Sequence, residues 1–278
     1  MRSAGIFEAR RVARALVTRL GITSAEHIAI EAIVKRVVAQ LGYRVRIVTG
    51  PLDGADSQMI RKPGEVVIIV SERLEADARR FAIAHELGHL LLEHPLLPPH
   101  RIGGPPRRSP EHVRDYEAEA NAFASELTMP YELVRGWCEG APVTLEPAWR
   151  IKHAFDVSIL AAAIRVTELS LEPCAAVFSA RRRVIWCAES ATSPPIARGR
   201  AVAQASIASG FWDHGAICDA PGEVPVGAWF ETDTVELTVV EHATASHAFR
   251  TVLSMLWVPE RTATLLRSLP LRPIDLRA

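Results

Sequence analysis

Two histidines four residues apart, His85 and His89, sit in a run whose other members are mostly apolar or small: residues 79–94 read Arg-Arg-Phe-Ala-Ile-Ala-His-Glu-Leu-Gly-His-Leu-Leu-Leu-Glu-His. The spacing predicts one amphipathic helix over 79–94, with Phe81, Ala84, Leu87, Leu91 and Leu92 turned to a core. At 3.6 residues per turn the two imidazoles lie one turn apart on the same face. That arrangement suits two ring nitrogens converging on one Zn²⁺, with Glu86 placed to work on a metal-bound water. The bland alternative is a buried helix whose histidines bond to backbone or carboxylates. The five-residue pattern is short, so the decision rests on its surroundings.

Two histidines leave a zinc ion in need of a third protein ligand. Pro95 stops the first helix, and residues 95–110 form a loop rich in Pro, Gly and Arg. Ser109-Pro110-Glu111 then supplies an N-cap, a proline at the first helical position and an acidic first turn, so a second helix is expected over 111–127. It offers Glu117, Glu119 and Asn121. Glu117 and Asn121 share a face, while Glu119 is turned about 200° from Glu117. The pair makes sense as a unit: Glu117 ligates the metal, and Asn121 accepts the outer N–H of a ligating histidine. Glu119 is assigned to another face. His94 competes as the third ligand, but its five-residue spacing from His89 is wrong, and Leu92 stands where a kinking glycine would be needed.

The two helices together resemble the ImmA/IrrE family of bacterial metallopeptidases. The resemblance is carried by Phe81-Ala82-Ile83-Ala84-His85-Glu86-Leu87-Gly88-His89 and by Glu117-Ala118-Glu119-Ala120-Asn121, followed by Met129-Pro130. Thr128 departs from the leucine usual before that Met-Pro. The likeness is good over residues 5–135 and loose beyond. It implies a thermolysin-like peptidase core with His85, His89 and Glu117 as zinc ligands, manganese as the alternative metal, and Glu86 as general base. It also implies a substrate, a helix-turn-helix transcriptional repressor cut in a stress or mobile-element response, and a GAF-like C-terminal region. An oxyanion-stabilising residue is required too. His94, His100, His112 and Tyr116 are near in sequence, and no motif singles one out.

The remaining chain reads as α+β in three parts: a zincin-like peptidase domain over 1–135, a helical helix-turn-helix-like spacer over 136–172 and an α+β domain over 173–278. Residues 5–20 and 24–41 carry apolar side chains at helical spacing. Residues 43–48 alternate as a half-buried strand, and 57–60 with 65–70 form a hairpin turned at Pro63-Gly64. The strand over 65–70 leads into the His-Glu helix, where an exposed edge could hold an extended peptide; an interior strand is the even alternative. Helices over 146–155 and 158–169 are joined at Asp156-Val157, with Trp149, Ile151, Phe155, Leu160, Ala161 and Ile164 as their core. Arg165 is the base-reading candidate the second helix offers. Further on, 174–180 and 184–188 flank Arg181-Arg182-Arg183 as a hairpin with a solvated tip. Segments 227–232, 235–240 and 249–258 follow, the last as helix or strand. Trp186, Trp212, Trp229 and Trp257 are expected in a core.

A formal net charge of zero gives no general affinity for nucleic acid or anionic membranes. No apolar run reaches the length of a membrane span, and no signal-peptide core follows the first residues. Cys138, Cys174, Cys187 and Cys218 lack C-x-x-C spacing and are expected as thiols, with a Cys174–Cys187 bridge the lesser alternative. These features point to a cytoplasmic zinc endopeptidase. A non-enzymatic, metal-stabilised regulator binding DNA or a protein through its C-terminal half is the alternative, against which Glu86 argues, since a structural zinc site has no use for that carboxylate.

Overall fold

The computed structural model describes residues 2–95, 115–232 and 236–268. They fall into two compact units, one within Met1–Val134 and Ile151–Ser158, the other within Arg135–Arg150 and Ile159–Ala278.

Unit 1 opens with α1 (Arg2–Arg19) and α2 (Ile30–Gln40). Ala9, Ala13 and Leu16 form the buried stripe of α1, and Ile30, Ile33, Val34, Val37 and Val38 that of α2. A three-stranded sheet follows: β1 (Arg44–Gly50), β2 (Ser57–Lys62) and β3 (Glu65–Ser71), in the order β1-β3-β2. β2 and β3 are antiparallel through a two-residue Pro63-Gly64 turn, with Gly64 at φ 70° as such a turn demands. β1 runs parallel to β3. Central β3, Glu-Val-Val-Ile-Ile-Val-Ser, buries Val66, Val67, Ile68 and Val70 on both faces, and an unbroken apolar run is what an interior strand needs. The strand leading into the His-Glu helix is therefore not an edge; the sheet's edges are β1 and β2.

α3 (Ala76–Leu91) and α4 (Tyr116–Thr128) carry the two motifs. α3 is not amphipathic at its centre: every residue from Ala82 to Leu90 is buried, because the sheet and neighbouring helices enclose it. It also ends before His94. Leu92 caps it, Glu93 takes a left-handed φ of 54°, and the His94 N–H bonds back to the His89 carbonyl at 3.0 Å. With the Glu93 N–H on the Leu90 carbonyl this is a Schellman-type stop, without its usual glycine. α4 starts at Tyr116, capped by Asp115, whose carboxylate accepts from the Ala118 N–H at 3.2 Å. The Ser109-Pro110-Glu111 signal, His100 and His112 lie outside the described residues. α4 is held to α1 by buried Glu126, which pairs with Arg14 at 3.1 Å and accepts from the Tyr131 N–H, at the start of α5 (Tyr131–Val134). α6 (Glu146–Phe155) contributes its last residues to this unit, and Asp156 beyond it bonds Arg80 of α3 at 3.1 Å.

Unit 2 contains α7 (Ile159–Leu169), β4 (Cys174–Ala180), β5 (Arg183–Glu189), α8 (Ser209–His214), β6 (Gly222–Pro225), β7 (Thr238–Ser246), β8 (Thr251–Trp257) and α9 (Glu260–Ser268). The strands make one antiparallel sheet in the order β5-β4-β8-β7-β6. Residues 249–258 resolve as strand β8, whereas 227–232 contain no strand, and residues 233–235 are outside the description. α7 buries Ala162, Ala163, Arg165, Val166 and Thr167, not Leu160, Ala161 and Ile164. Arg165 is fully buried against Glu168, so it is not available to a base edge. Trp229 is core, while Trp186, Trp212 and Trp257 are only partly covered. Cys187 stands opposite Val177 in the β4–β5 register, not opposite Cys174, and both are free thiols. At the centre of the sheet the buried Glu241 carboxylate accepts from the Ile207 and Ala208 N–H, Trp229 Nε1–H and Ser254 hydroxyl, each at 2.9 Å. Burial pushes this carboxyl above the usual carboxylate range, against the opposing pull of its four donors. Among the described residues no helix is long and apolar enough to cross a membrane.

Candidate metal centre

α3 and α4 pack closely enough to bring the predicted residues into one cluster. Gly88, between the two histidines, makes this possible: a Cβ there would lie 3.1 Å from the Phe123 ring of α4. On α3 itself, His85 Nε2 and His89 Nε2 approach to 2.9 Å. Glu117 reaches in from the first turn of α4, with Oε2 3.3 Å from His85 Nε2 and Oε1 3.3 Å from His89 Nε2. The three donor groups lie within 4.8 Å of one another.

Asn121, one turn beyond Glu117, has Oδ1 3.0 Å from His85 Nδ1. An amide oxygen only accepts, so His85 carries its proton on Nδ1 and turns the Nε2 lone pair inward. Two imidazole nitrogens and a carboxylate pointing at one spot form a donor set that a divalent cation such as zinc fits, with the nitrogen and oxygen chemistry zinc prefers.

Glu86 projects to a different side of α3. It is 6 % exposed, and its Oε1 accepts a 2.6 Å hydrogen bond from the Ser57 hydroxyl on β2. A bond that short to a carboxylate is of the charge-assisted kind, and it leaves Oε2 for other work. Nothing in the sequence singled out Ser57: it lies 29 residues before Glu86, and no local pattern joins the two.

His94 and Glu119, set aside on spacing, are both in the network. Glu119 does lie on a different face of α4 from Glu117, yet its Oε2 is 3.1 Å from His94 Nε2, and His94 Nδ1 is 3.0 Å from His89 Nδ1. His94 meets His89 on the nitrogen pointing away from Glu117, so it is not a third ligand. A helical projection misplaces it because Glu93 breaks the helix. The Tyr116 ring packs against the His94 ring at a tilt, 4.7 Å between centroids.

A helix pair on a small mixed sheet, with His-Glu-x-x-His facing a glutamate, defines a metallopeptidase-like domain. Residues 42–167 match the peptidase M78 family model described as the IrrE N-terminal-like domain. The fold as a whole is similar to a solved Mycobacterium tuberculosis transcriptional regulator, with a TM-score of 0.57 at 14% identity, covering 93% of this chain and 77% of that one. No curated protein matches the chain.

Proposed function

We propose that this chain is a zinc-dependent cytoplasmic endopeptidase, able also to use manganese, that cuts a helix-turn-helix transcriptional repressor and so relieves repression in a stress or mobile-element response. The observation that carries the hydrolytic reading is the state of Glu86. A buried carboxylate is costly, and this one is held by Ser57 beside, not within, the His85–His89–Glu117 cluster. A purely structural metal site would have no reason to keep it there.

His85, His89 and Glu117 would hold the metal, which supplies a Lewis acid for the scissile carbonyl and for water. Asn121 keeps the His85 ring in register. Glu86 takes a proton on Oε2 and hands it to the leaving amine, while Ser57 holds Oε1. β2 pairs only with β3 among the described residues, so its outer edge is open to an extended peptide, and Ser57 at its start would bring that peptide next to Glu86. The antiparallel sheet of unit 2 suits a GAF-like sensing role.

The test is incubation of the purified chain, with zinc or manganese, with the helix-turn-helix protein encoded beside it. Discrete cleavage that Glu86→Gln abolishes is the expected result. Absence of cleavage, or cleavage undiminished in Glu86→Gln, sinks the reading. A sequence-selective gel shift that survives chelation would instead favour a non-enzymatic regulator.

A further inference from the structure

We propose that His94 and Glu119 are positioning residues for the metal ligand His89, and that Gly5 of α1 is what admits Glu119 to that role. The inference rests on His85, His89 and Glu117 being the metal site, and adds three residues that touch no metal.

The logic runs inward from Glu119. Its carboxylate is 3 % exposed and accepts only, so the proton between it and His94, 3.1 Å away, sits on His94 Nε2. A neutral imidazole protonated at Nε2 offers its Nδ1 lone pair. That lone pair faces His89 Nδ1 at 3.0 Å, so His89 donates from Nδ1 and turns its Nε2 lone pair toward His85 Nε2 and Glu117. Asn121 does the same for His85 in one step; for His89 the work takes two groups. The left-handed turn at Glu93 brings His94 back over the end of α3 to receive the bond, and the Tyr116 ring packs against it.

Gly5 lies inside α1, where glycine is a poor helix former. A Cβ on Gly5 would stand 2.1 Å from Glu119 Oε1 and 2.6 Å from its carboxyl carbon. Any side chain there displaces the carboxylate from His94. The first helix of the chain is thereby tied to the metal ligand through Gly5, Glu119, His94 and His89 in turn.

The experiment measures zinc affinity of the full chain by competition with a chromophoric chelator. It compares wild type with His94→Ala, His94→Gln and Gly5→Ala, with Glu117→Ala as the ligand control. His94→Ala and Gly5→Ala should each weaken zinc binding about 10–100-fold, the range for groups that orient a metal-ligating histidine. His94→Gln, which offers an accepting oxygen and a donating N–H, should recover most of the loss. Gly5→Ala leaves His94 and His89 unaltered and gains helix propensity against the displaced carboxylate, so the metal-free protein should keep its far-UV circular dichroism, with any change in melting temperature read separately, while zinc affinity falls. In the zinc-loaded protein, ¹⁵N spectra should place the His89 proton on Nδ1 in wild type and show that signal broadened by exchange in His94→Ala. Zinc affinity within threefold of wild type in both His94→Ala and Gly5→Ala overturns the inference. Wild type that fails to bind zinc, or binds as tightly without Glu117, overturns the metal reading itself.

Discussion

Ser57 and Glu86 form a buried pair whose strength can be isolated. The hydroxyl donates to Oε1 at 2.6 Å, with the residues 4 % and 6 % exposed, so neither group has water to fall back on. A hydrogen bond to a charged acceptor contributes about 1.5–3 kcal/mol, a neutral one about 0.5–1.5. Glu86→Gln keeps the shape and the acceptor oxygen but removes the charge. A double-mutant cycle of Ser57→Ala and Glu86→Gln should therefore give a coupling of about 1–1.5 kcal/mol. The assay is urea unfolding of the chelator-treated protein by circular dichroism at 222 nm. Tryptophan emission serves as a parallel report on unit 2, which holds all six tryptophans. Ser57→Ala alone should cost about 2 kcal/mol yet leave zinc affinity within about threefold, since Ser57 touches none of the three ligands; effects on a histidine's outer partners are larger. A coupling below about 0.3 kcal/mol, within the error of additivity, would mean that the hydroxyl does not hold a charged Glu86. The Glu86 role built on that contact would then fall.

Gly88→Ala gains up to about 1 kcal/mol in helix propensity and loses about 1–3 to the clash with buried Phe123. Calorimetry should show a net loss and chelator competition a weaker metal site; an unchanged protein would show that α3 and α4 are not packed this closely. Burial pushes the Cys138 and Cys187 thiols up to about 11, with neighbouring Glu189 adding to the shift at Cys187. Folded protein at pH 8 should react rapidly with a disulfide reagent at exposed Cys218 alone. Because those folded thiols keep their protons above the 9.0 of a free thiol, their stabilising contribution is full below about 9 and is lost as pH rises through about 11. Alkaline unfolding in that window should weaken in the Cys138→Ala, Cys187→Ala double variant. Glu241→Gln puts an amide N–H₂ against donors and should cost about 1–3 kcal/mol for each group left unpaired. As the folded Glu241 carboxyl is raised above 4.5, its contribution is largest at low pH, and urea titrations should show the gap between wild type and variant narrowing from pH 4 to 7.

Much of the site is local periodicity and was legible on that account. His85 and His89, or Glu117 and Asn121, share a face of a helix whatever the helix packs against, and the Pro63-Gly64 turn specifies its own hairpin. Edges and burial were not legible in the same way. β3 is interior because β1 joins it in parallel; its unbroken apolar run suits that place, but nothing in β3 names the partner, and the open edge passed to β2. α7 turned a different stripe to the core than its apolar spacing indicated, taking Arg165 with it, because Glu168 supplies a counter-charge.

The sequence by itself determined the donor set, two histidines and a glutamate on two helices, because one helical turn brings residues four apart onto one side. Only the tertiary structure decided what holds those donors in place. Ser57 meets Glu86 through sheet-on-helix packing, Gly5 meets Glu119 through the contact of α1 with α4, and His94 reaches His89 through a left-handed turn at a glutamate. Each is a meeting of segments distant in sequence or thrown off the helical pattern, and such meetings depend on how elements pack, which no periodicity along the chain records.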